Sequence, residues 1–325
     1  MSSFPYDQAD YEEVPCNFCG NNRDFKIIAI RDKDNLPTRT CLCRRCGLIF
    51  INPRMTKDWY NRYYDEEYRE RDRMKKKPAG NNLERQFGAG EHFGESLVKL
   101  ISPYLKPGVI IDVGSGVGGG LSGFKKYRPD LQLIGIEPSA KESAYANVRG
   151  IKTHNTLFES FTNSILSPAN IMNTRALNHL LDPQGFIKRA HDYLMPDGRL
   201  ILAVQNFRLS SKKIGRIVPQ IDHVYMFTPE ILLPMIESVG FEIVFFSDPE
   251  KMTIHEQREL KSLGLTNHLK LVAKKINRPN NFNPISIQRS VKISKSLNPI
   301  RIKSFYWRHR FASLLLKRVS HKFLI

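Results

Sequence analysis

An apolar run, Val109-Ile110-Ile111-Asp112-Val113, passes directly into Gly114-Ser115-Gly116-Val117-Gly118. No other feature limits the fold of this chain as strongly. The run reads as a buried parallel strand, and the glycines provide a turn that needs positive φ or close backbone approach. A helix is expected to start near Gly118, with its free N–H groups facing a ligand. Gly114-x-Gly116-x-x-Gly119 also fits the dinucleotide-binding fingerprint, a weak signal when it stands alone. Two carboxylates separate the cofactor classes. Asp112 at the strand end would repel a pyrophosphate but suits the amino and sulfonium end of S-adenosylmethionine. Glu137, at the end of the next strand, can accept from both ribose hydroxyls, although dehydrogenases use an acid there too.

The surrounding pattern is that of an α/β fold. Further strands are expected at Leu131–Ile136, Ala169–Asn173, Arg199–Val204, Phe241–Phe246 and His268–Ala273. Helices are expected at Gly185–Leu194 and Pro229–Val239. The second of these has Thr228 as N-cap, Pro229 at its first position and Gly240 beyond its end. In such a fold the ligand lies at the carboxyl ends of the strands. Three regions follow: a cysteine-bearing region and connector at 1–78, the α/β region at 79–275, and a basic tail at 276–325. No 20–50-residue repeat is visible.

Cys16-x-x-Cys19 and Cys43-x-x-Cys46 stand 23 residues apart. Two such knuckles bring four thiolates within tetrahedral reach, as in a zinc ribbon. Gly20 and Gly47 follow the pairs and permit the tight turns. Four thiolates leave no open position, so Cys16, Cys19, Cys43 and Cys46 are expected to hold a structural Zn²⁺ that helps a small segment fold. Cys41 is the leftover thiol; as a ligand in place of Cys43 its spacing to Cys46 is worse.

The ordered motifs resemble those of class I S-adenosylmethionine-dependent methyltransferases. Asp112–Gly118 and Gly135-Ile136-Glu137-Pro138-Ser139 look like the first two motifs of that family, and Ala176–Pro183 is similar to its fourth-strand motif, with Asn178 in place of the common Glu. Leu194–Leu200 and Glu237–Phe241 resemble the entries to strands five and six. The likeness implies a Rossmann-like, mostly parallel, seven-stranded sheet. It implies a cofactor site formed by Asp112, Gly114, Ser115, Gly116, Glu137 and Pro138, with Leu157, Phe158 and Glu159 packed on the adenine. Cys16 to Tyr68 is similar to the N-terminal domain of sugar methyltransferases, including C-methyltransferases of deoxysugars. The likeness is carried by Cys46-Gly47-Leu48-Ile49-Phe50-Ile51-Asn52-Pro53-Arg54 and by Tyr60, Tyr64 and Tyr68. It implies a sugar nucleotide or glycan as acceptor.

Methyl transfer needs a placed nucleophile and a group that takes its proton. The loops after strands four and five offer His179 and His223. Asp222-His223 resembles the Glu-His pair of sugar C-methyltransferases, but the Tyr and His that precede that pair are replaced by Gln220 and Ile221. O-methylation needs only one base, and His223 can serve. Tyr225, Arg175 and Gln205 are further candidates for acceptor contact.

The formal charge of +18 is concentrated at one end. From Ile276 to Ile325 there are eleven Lys or Arg and no Asp or Glu, leaving 18 − 11 = +7 for the rest. The tail points to an anionic partner. Trp307, Phe311, Leu314 and Leu315 share a helical face, so a peripheral membrane contact near a lipid-linked glycan is one reading, and docking on the body or on another subunit is another. No run reaches the ~20 apolar residues of a membrane span, and Met1–Asp7 shows no secretory signal, so a cytoplasmic, possibly membrane-associated protein is expected. A nucleic-acid methyltransferase is a second reading, from the ribbon and the charge. Base-amino methylation uses an Asn/Asp-Pro-Pro-aromatic clamp, however, and the sequence there is Asn173-Thr174-Arg175-Ala176. Another small molecule as acceptor, a non-catalytic cofactor-fold binding protein and a nicotinamide-dependent dehydrogenase complete the alternatives. Oligomeric state is left open.

Overall fold

Every strand expected in the middle of the chain forms, and together they make one sheet. The computed structural model describes residues 4–68, 82–161, 167–214, 217, 219–253, 268–276 and 283–305. The N-terminal part contributes β1 (Tyr11–Glu12), β2 (Phe25–Arg31), β3 (Pro37–Cys43), β4 (Ile49–Ile51), β5 (Arg54–Met55) and α1 (Lys57–Tyr63), the last followed by a π-helical turn at Tyr64–Tyr68. Then come α2 (Asn82–Ile101), β6 (Gly108–Val113), α3 (Gly119–Tyr127), β7 (Leu131–Ile136), α4 (Ala140–Val148), β8 (Thr153–His154) and β9 (Asn170–Thr174). The chain continues through α5 (Pro183–Tyr193), β10 (Arg199–Gln205), α6 (Phe207–Ile214), β11 (Tyr225–Met226), α7 (Pro229–Glu237), β12 (Phe241–Ser247), β13 (His268–Lys275) and α8 (Ile287–Phe305).

The seven-stranded sheet has the order β12-β13-β10-β9-β6-β7-β8. β13 runs antiparallel to both neighbours and the other pairs are parallel. The order reverses at β6, so the crevice beyond the carboxyl ends of β6 and β9 is the natural ligand site. The inner strands are apolar on both faces: Leu200, Ile201, Leu202, Ala203 and Val204 have no measurable exposure. Both faces are buried because crossover helices cover them.

Helices α2 and α3 cross at unusually close range. A Cβ on Gly94 would collide with the carbonyl of Gly120, and one on Gly119 with the carbonyl of Phe87. Gly119, the third glycine of the loop pattern, is therefore used for helix–helix approach.

The cysteine-bearing segment is not a separate bead. Its sheet has the order β11-β4-β3-β2, so β11, far along the chain from β4, supplies an edge strand. Tyr225 pairs with Phe50 and Met226 with Ile49, both antiparallel. One hydrophobic core runs through both parts, including Phe50 and Tyr225 from the shared sheet and Leu200 and Leu202 from the large one. The first turns of the tail also join this core. α8 buries Ile293 and Leu297, the Ser290 hydroxyl donates to the Cys43 carbonyl at 3.1 Å, and Lys26 Nζ meets the Ser294 hydroxyl at 2.7 Å. The expected aromatic and leucine face at Trp307–Leu315 lies outside the described residues. Among the described residues no helix is long and apolar enough to cross a membrane.

Candidate functional site

The glycine loop closes as its sequence requires. Gly114, Gly116 and Gly118 take φ of 75°, 54° and 79°, in the left-handed region that side chains other than glycine rarely occupy. The Gly114 and Ser115 N–H groups donate to the Ile136 carbonyl at 2.8 and 3.2 Å, which ties the loop to the end of β7. Glu137 lies on the other side of the same crevice. Its carboxylate accepts from the Gly116 N–H at 2.9 Å and from the Ser139 N–H at 2.8 Å. Ser139 caps α4 by accepting from the Glu142 N–H at 3.5 Å.

Asp112 sits at the carboxyl end of β6 with 2% exposure. Burial pushes its carboxyl up to about 8, against the opposing charge of Arg175. Asp112 Oδ1 and Ser115 Oγ are buried polar atoms without a hydrogen-bond partner in the structure. Such atoms are costly unless a ligand meets them. An orphaned carboxylate oxygen and an orphaned hydroxyl oxygen can both accept from a ligand that carries an ammonium group. That is the acceptor pair the amino end of S-adenosylmethionine needs.

The other expected cofactor residues are placed less simply. Pro138 is exposed, and its carbonyl accepts from Asn155 Nδ2 at 2.8 Å. Phe158 is packed in the core, 5.5 Å from Phe186 between ring centres, with Arg189 over its face at 5.3 Å. Leu157 and Glu159 are the exposed residues of that turn.

Beyond the loop, two distant segments bring His179, Asp222 and His223 together. His179 follows β9 in a short 3₁₀ turn at Leu177–His179. Asp222 and His223 precede β11 and are held from the ribbon side. The Ile51 N–H donates to the Val224 carbonyl at 2.9 Å, the Tyr60 hydroxyl to the Ile221 carbonyl at 3.1 Å, and the Lys33 N–H to the Pro219 carbonyl at 2.9 Å. The His179 and His223 rings meet edge to face, 4.7 Å between centres, and His179 Nδ1 lies 3.9 Å from Asp222 Oδ2. The Tyr64 hydroxyl is 3.2 Å from His179 Nδ1 and 3.5 Å from the Asp222 carbonyl, while Gln220 Nε2 is 3.3 Å from His223 Nδ1.

Burial pushes His223 down to about 3, with Asp222 opposing, and pushes His179 down in the same way. Burial alone would raise Asp222, but His223, His179 and Lys33 outweigh it and hold the carboxyl below the usual range. At neutral pH the cluster is one carboxylate beside two neutral imidazoles.

Two residues here were not found from the sequence. Lys33, in the β2–β3 hairpin, donates its side chain to Gln220 and acts electrostatically on Asp222 and His223. His268 opens β13 opposite Gln205, at the carboxyl end of β10. Burial lowers it to about 3, and its Nδ1 has no partner. The available signal was positional: the first residue of an antiparallel last strand falls at the ligand end of the sheet. Arg175 links the two ends of the crevice. It takes φ of 62°, lies over Phe93 at 4.5 Å, and its charge acts on both Asp112 and His268. Tyr225 faces away from the cluster, with its hydroxyl 3.3 Å from the Leu181 carbonyl and 3.4 Å from Arg54 Nη1.

The cysteines divide four to one. Cys16, Cys19, Cys43 and Cys46 place their sulfurs within 4.8 Å of one another, with Cys16 to Cys46 at 3.5 Å and Cys19 to Cys43 at 3.6 Å. A tetrahedral zinc with Zn–S of about 2.3 Å separates sulfurs by about 3.8 Å, so the four fit such an ion. The Gly20 N–H donates to the Cys16 carbonyl and the Gly47 N–H to the Cys43 carbonyl, closing each knuckle. Cys41 is buried on β3, with its sulfur 3.6 Å from the Asn52 carbonyl, and burial pushes its thiol up to about 11.

Residues 89–245 match a family model described as a methyltransferase domain. No curated protein gives a significant match. Among solved structures, the plantazolicin methyltransferase BpumL, in complex with a monoazolic desmethyl analogue and SAH, is similar with 16% identity and a TM-score of 0.48, covering 67% of this chain and 94% of that one. A structure described as an S-adenosylmethionine-dependent methyltransferase from Listeria monocytogenes has 15% identity and a TM-score of 0.43, covering 59% of this chain and all of that one.

Proposed function

We propose that this chain, an S-adenosylmethionine-dependent methyltransferase, transfers the methyl group to a sugar, carried on a nucleotide or within a glycan. The observation that carries this reading is the cluster of His179, Asp222 and His223, held by ribbon residues at the acceptor end of the crevice. S-adenosylmethionine supplies an electrophilic methyl group on a sulfonium. Asp112 and Ser115 would hold its amino end, and Glu137 stands where ribose hydroxyls would be met. Neutral His223 takes the proton of the acceptor hydroxyl, and Asp222 stabilises the imidazolium that results. His179, fixed by Tyr64, keeps the pair in register.

Support for a sugar comes from the ribbon's likeness to sugar methyltransferases and from a polar, hydrogen-bonding acceptor end. O-methylation is favoured over C-methylation because Gln220 and Ile221 stand where the second pair of catalytic groups would be. The four clustered cysteines hold a structural Zn²⁺ in this reading, and metal analysis of the purified chain should give one zinc. A methyl-transfer screen with labelled S-adenosylmethionine against nucleotide sugars and glycan extracts, read by mass spectrometry, tests the acceptor. A product one methyl heavier on a sugar is expected. Transfer confined to nucleic acid or peptide would overturn the sugar assignment.

A further inference from the structure

Helix α8 has two faces, and only one of them is used by the fold. Ser290, Ile293 and Leu297 are buried against the ribbon. On the opposite side Ile287, Val291 and Lys295 follow one another at i, i+4 and i+8, with Lys292 beside them, and all are exposed. Ile287 is 65% exposed and Val291 44%. A shallow hollow of about 470 Å³ lies along this stripe. The edge strand β2 is joined to the same helix through Lys26 and Ser294.

Large aliphatic side chains that remain exposed on a helix whose other face is packed mark an interaction surface. The charge indicates what it meets. Eleven Lys or Arg and no acidic residue occupy the stretch from Ile276 to Ile325. Aliphatic residues alternating with lysines match an anionic lipid surface, where the apolar groups enter the headgroup boundary and the ammonium groups meet phosphates. Nucleic-acid surfaces instead favour arginine and aromatic stacking groups, and neither lies on the exposed stripe.

We propose that the outer face of α8, with the adjoining edge of β2, is a docking surface for an anionic lipid bilayer. The surface is a property of α8 and the ribbon and does not depend on which acceptor is methylated. It would hold the cysteine-bearing end of the protein against a membrane, and the turn after β2 carries Lys33 to Gln220 at the proposed acceptor end.

The test is flotation of the zinc-containing full chain with vesicles of phosphatidylcholine alone or mixed with phosphatidylglycerol. Binding is expected only to the mixed vesicles and should weaken with added salt. A variant carrying Ile287→Asp and Val291→Asp should bind at least about tenfold more weakly, and Lys292→Glu with Lys295→Glu about tenfold or more. Unchanged zinc content and cofactor affinity in both variants would show that the fold is intact. Equal flotation with both vesicle types, no binding to the mixed vesicles, retention of binding in both variants, or binding to a nucleic-acid duplex only would overturn the proposal.

Discussion

The two ends of the crevice are built in different ways. The cofactor end, from Val109 to Ser139, is a local unit. One strand, one loop, one helix and the next strand bring Asp112, Ser115 and Glu137 together within 26 residues, and the hydrogen bonds that tie the loop to β7 and Glu137 stay inside that stretch. The acceptor end is assembled from remote pieces. Lys33, Tyr64, His179, the pair Asp222-His223 and His268 come from five places in the chain, and the loop that carries Asp222 is held by a strand pairing with the cysteine-bearing sheet. The difference implies that cofactor binding tolerates damage to the ribbon and that transfer does not.

The strongest way to break that comparison is to remove two of the four clustered sulfurs. Cys43→Ser with Cys46→Ser should loosen the turn that leads into β4 and with it the partner of β11. Turnover should fall by about 100-fold or more, while calorimetry should find S-adenosylmethionine affinity within about threefold of the native chain. Parallel loss of both would show that the two ends are one cooperative unit.

Asp112→Asn probes the other end. Affinity for S-adenosylmethionine should fall about 10- to 100-fold, the worth of one charged hydrogen bond of about 1.5–3 kcal/mol. The raised carboxyl gives a pH signature as well. Between its ordinary value and about 8 the folded state keeps the proton that the unfolded chain has released. Stability of the cofactor-free protein should therefore decline as pH rises through that window and level off above it. Cofactor affinity should rise over the same range, because an ammonium group favours the carboxylate. Denaturation and calorimetry at several pH values check both slopes, and the Asn variant should lack them.

Tyr64→Phe removes the hydroxyl that reaches both His179 Nδ1 and the Asp222 carbonyl, and should lower kcat about tenfold at unchanged cofactor affinity. Cys41→Ser is the smallest change. It leaves the four-sulfur cluster intact and should cost about 1 kcal/mol in chemical denaturation at unchanged zinc content.

The contrast also explains what could be read from the sequence. The parallel strands, the loop and the four-cysteine grouping are periodic or closely spaced, and their chemistry is local. Strand β11 has two residues, and no pattern in Tyr225-Met226 says that it leaves the large sheet to pair with Phe50 and Ile49. His268 carries no motif and gains its place only when β13 inserts antiparallel between β12 and β10. Gly94 looks like any helical glycine until the carbonyl of Gly120 arrives against it. Phe158, expected at the adenine by likeness, shows the reverse: its aromatic ring is in the core, where Phe186 and Arg189 cover it. Long-range pairing decides all four, and one-dimensional spacing does not encode it.

His223→Ala tests the central claim, that proton acceptance is a property of the ribbon-held end and separable from cofactor binding. Turnover and calorimetric affinity for S-adenosylmethionine should be measured on the same preparation. The expected result is a fall in turnover of about 100-fold or more with cofactor affinity unchanged. Near-normal turnover, or loss of cofactor affinity in step with turnover, would contradict it.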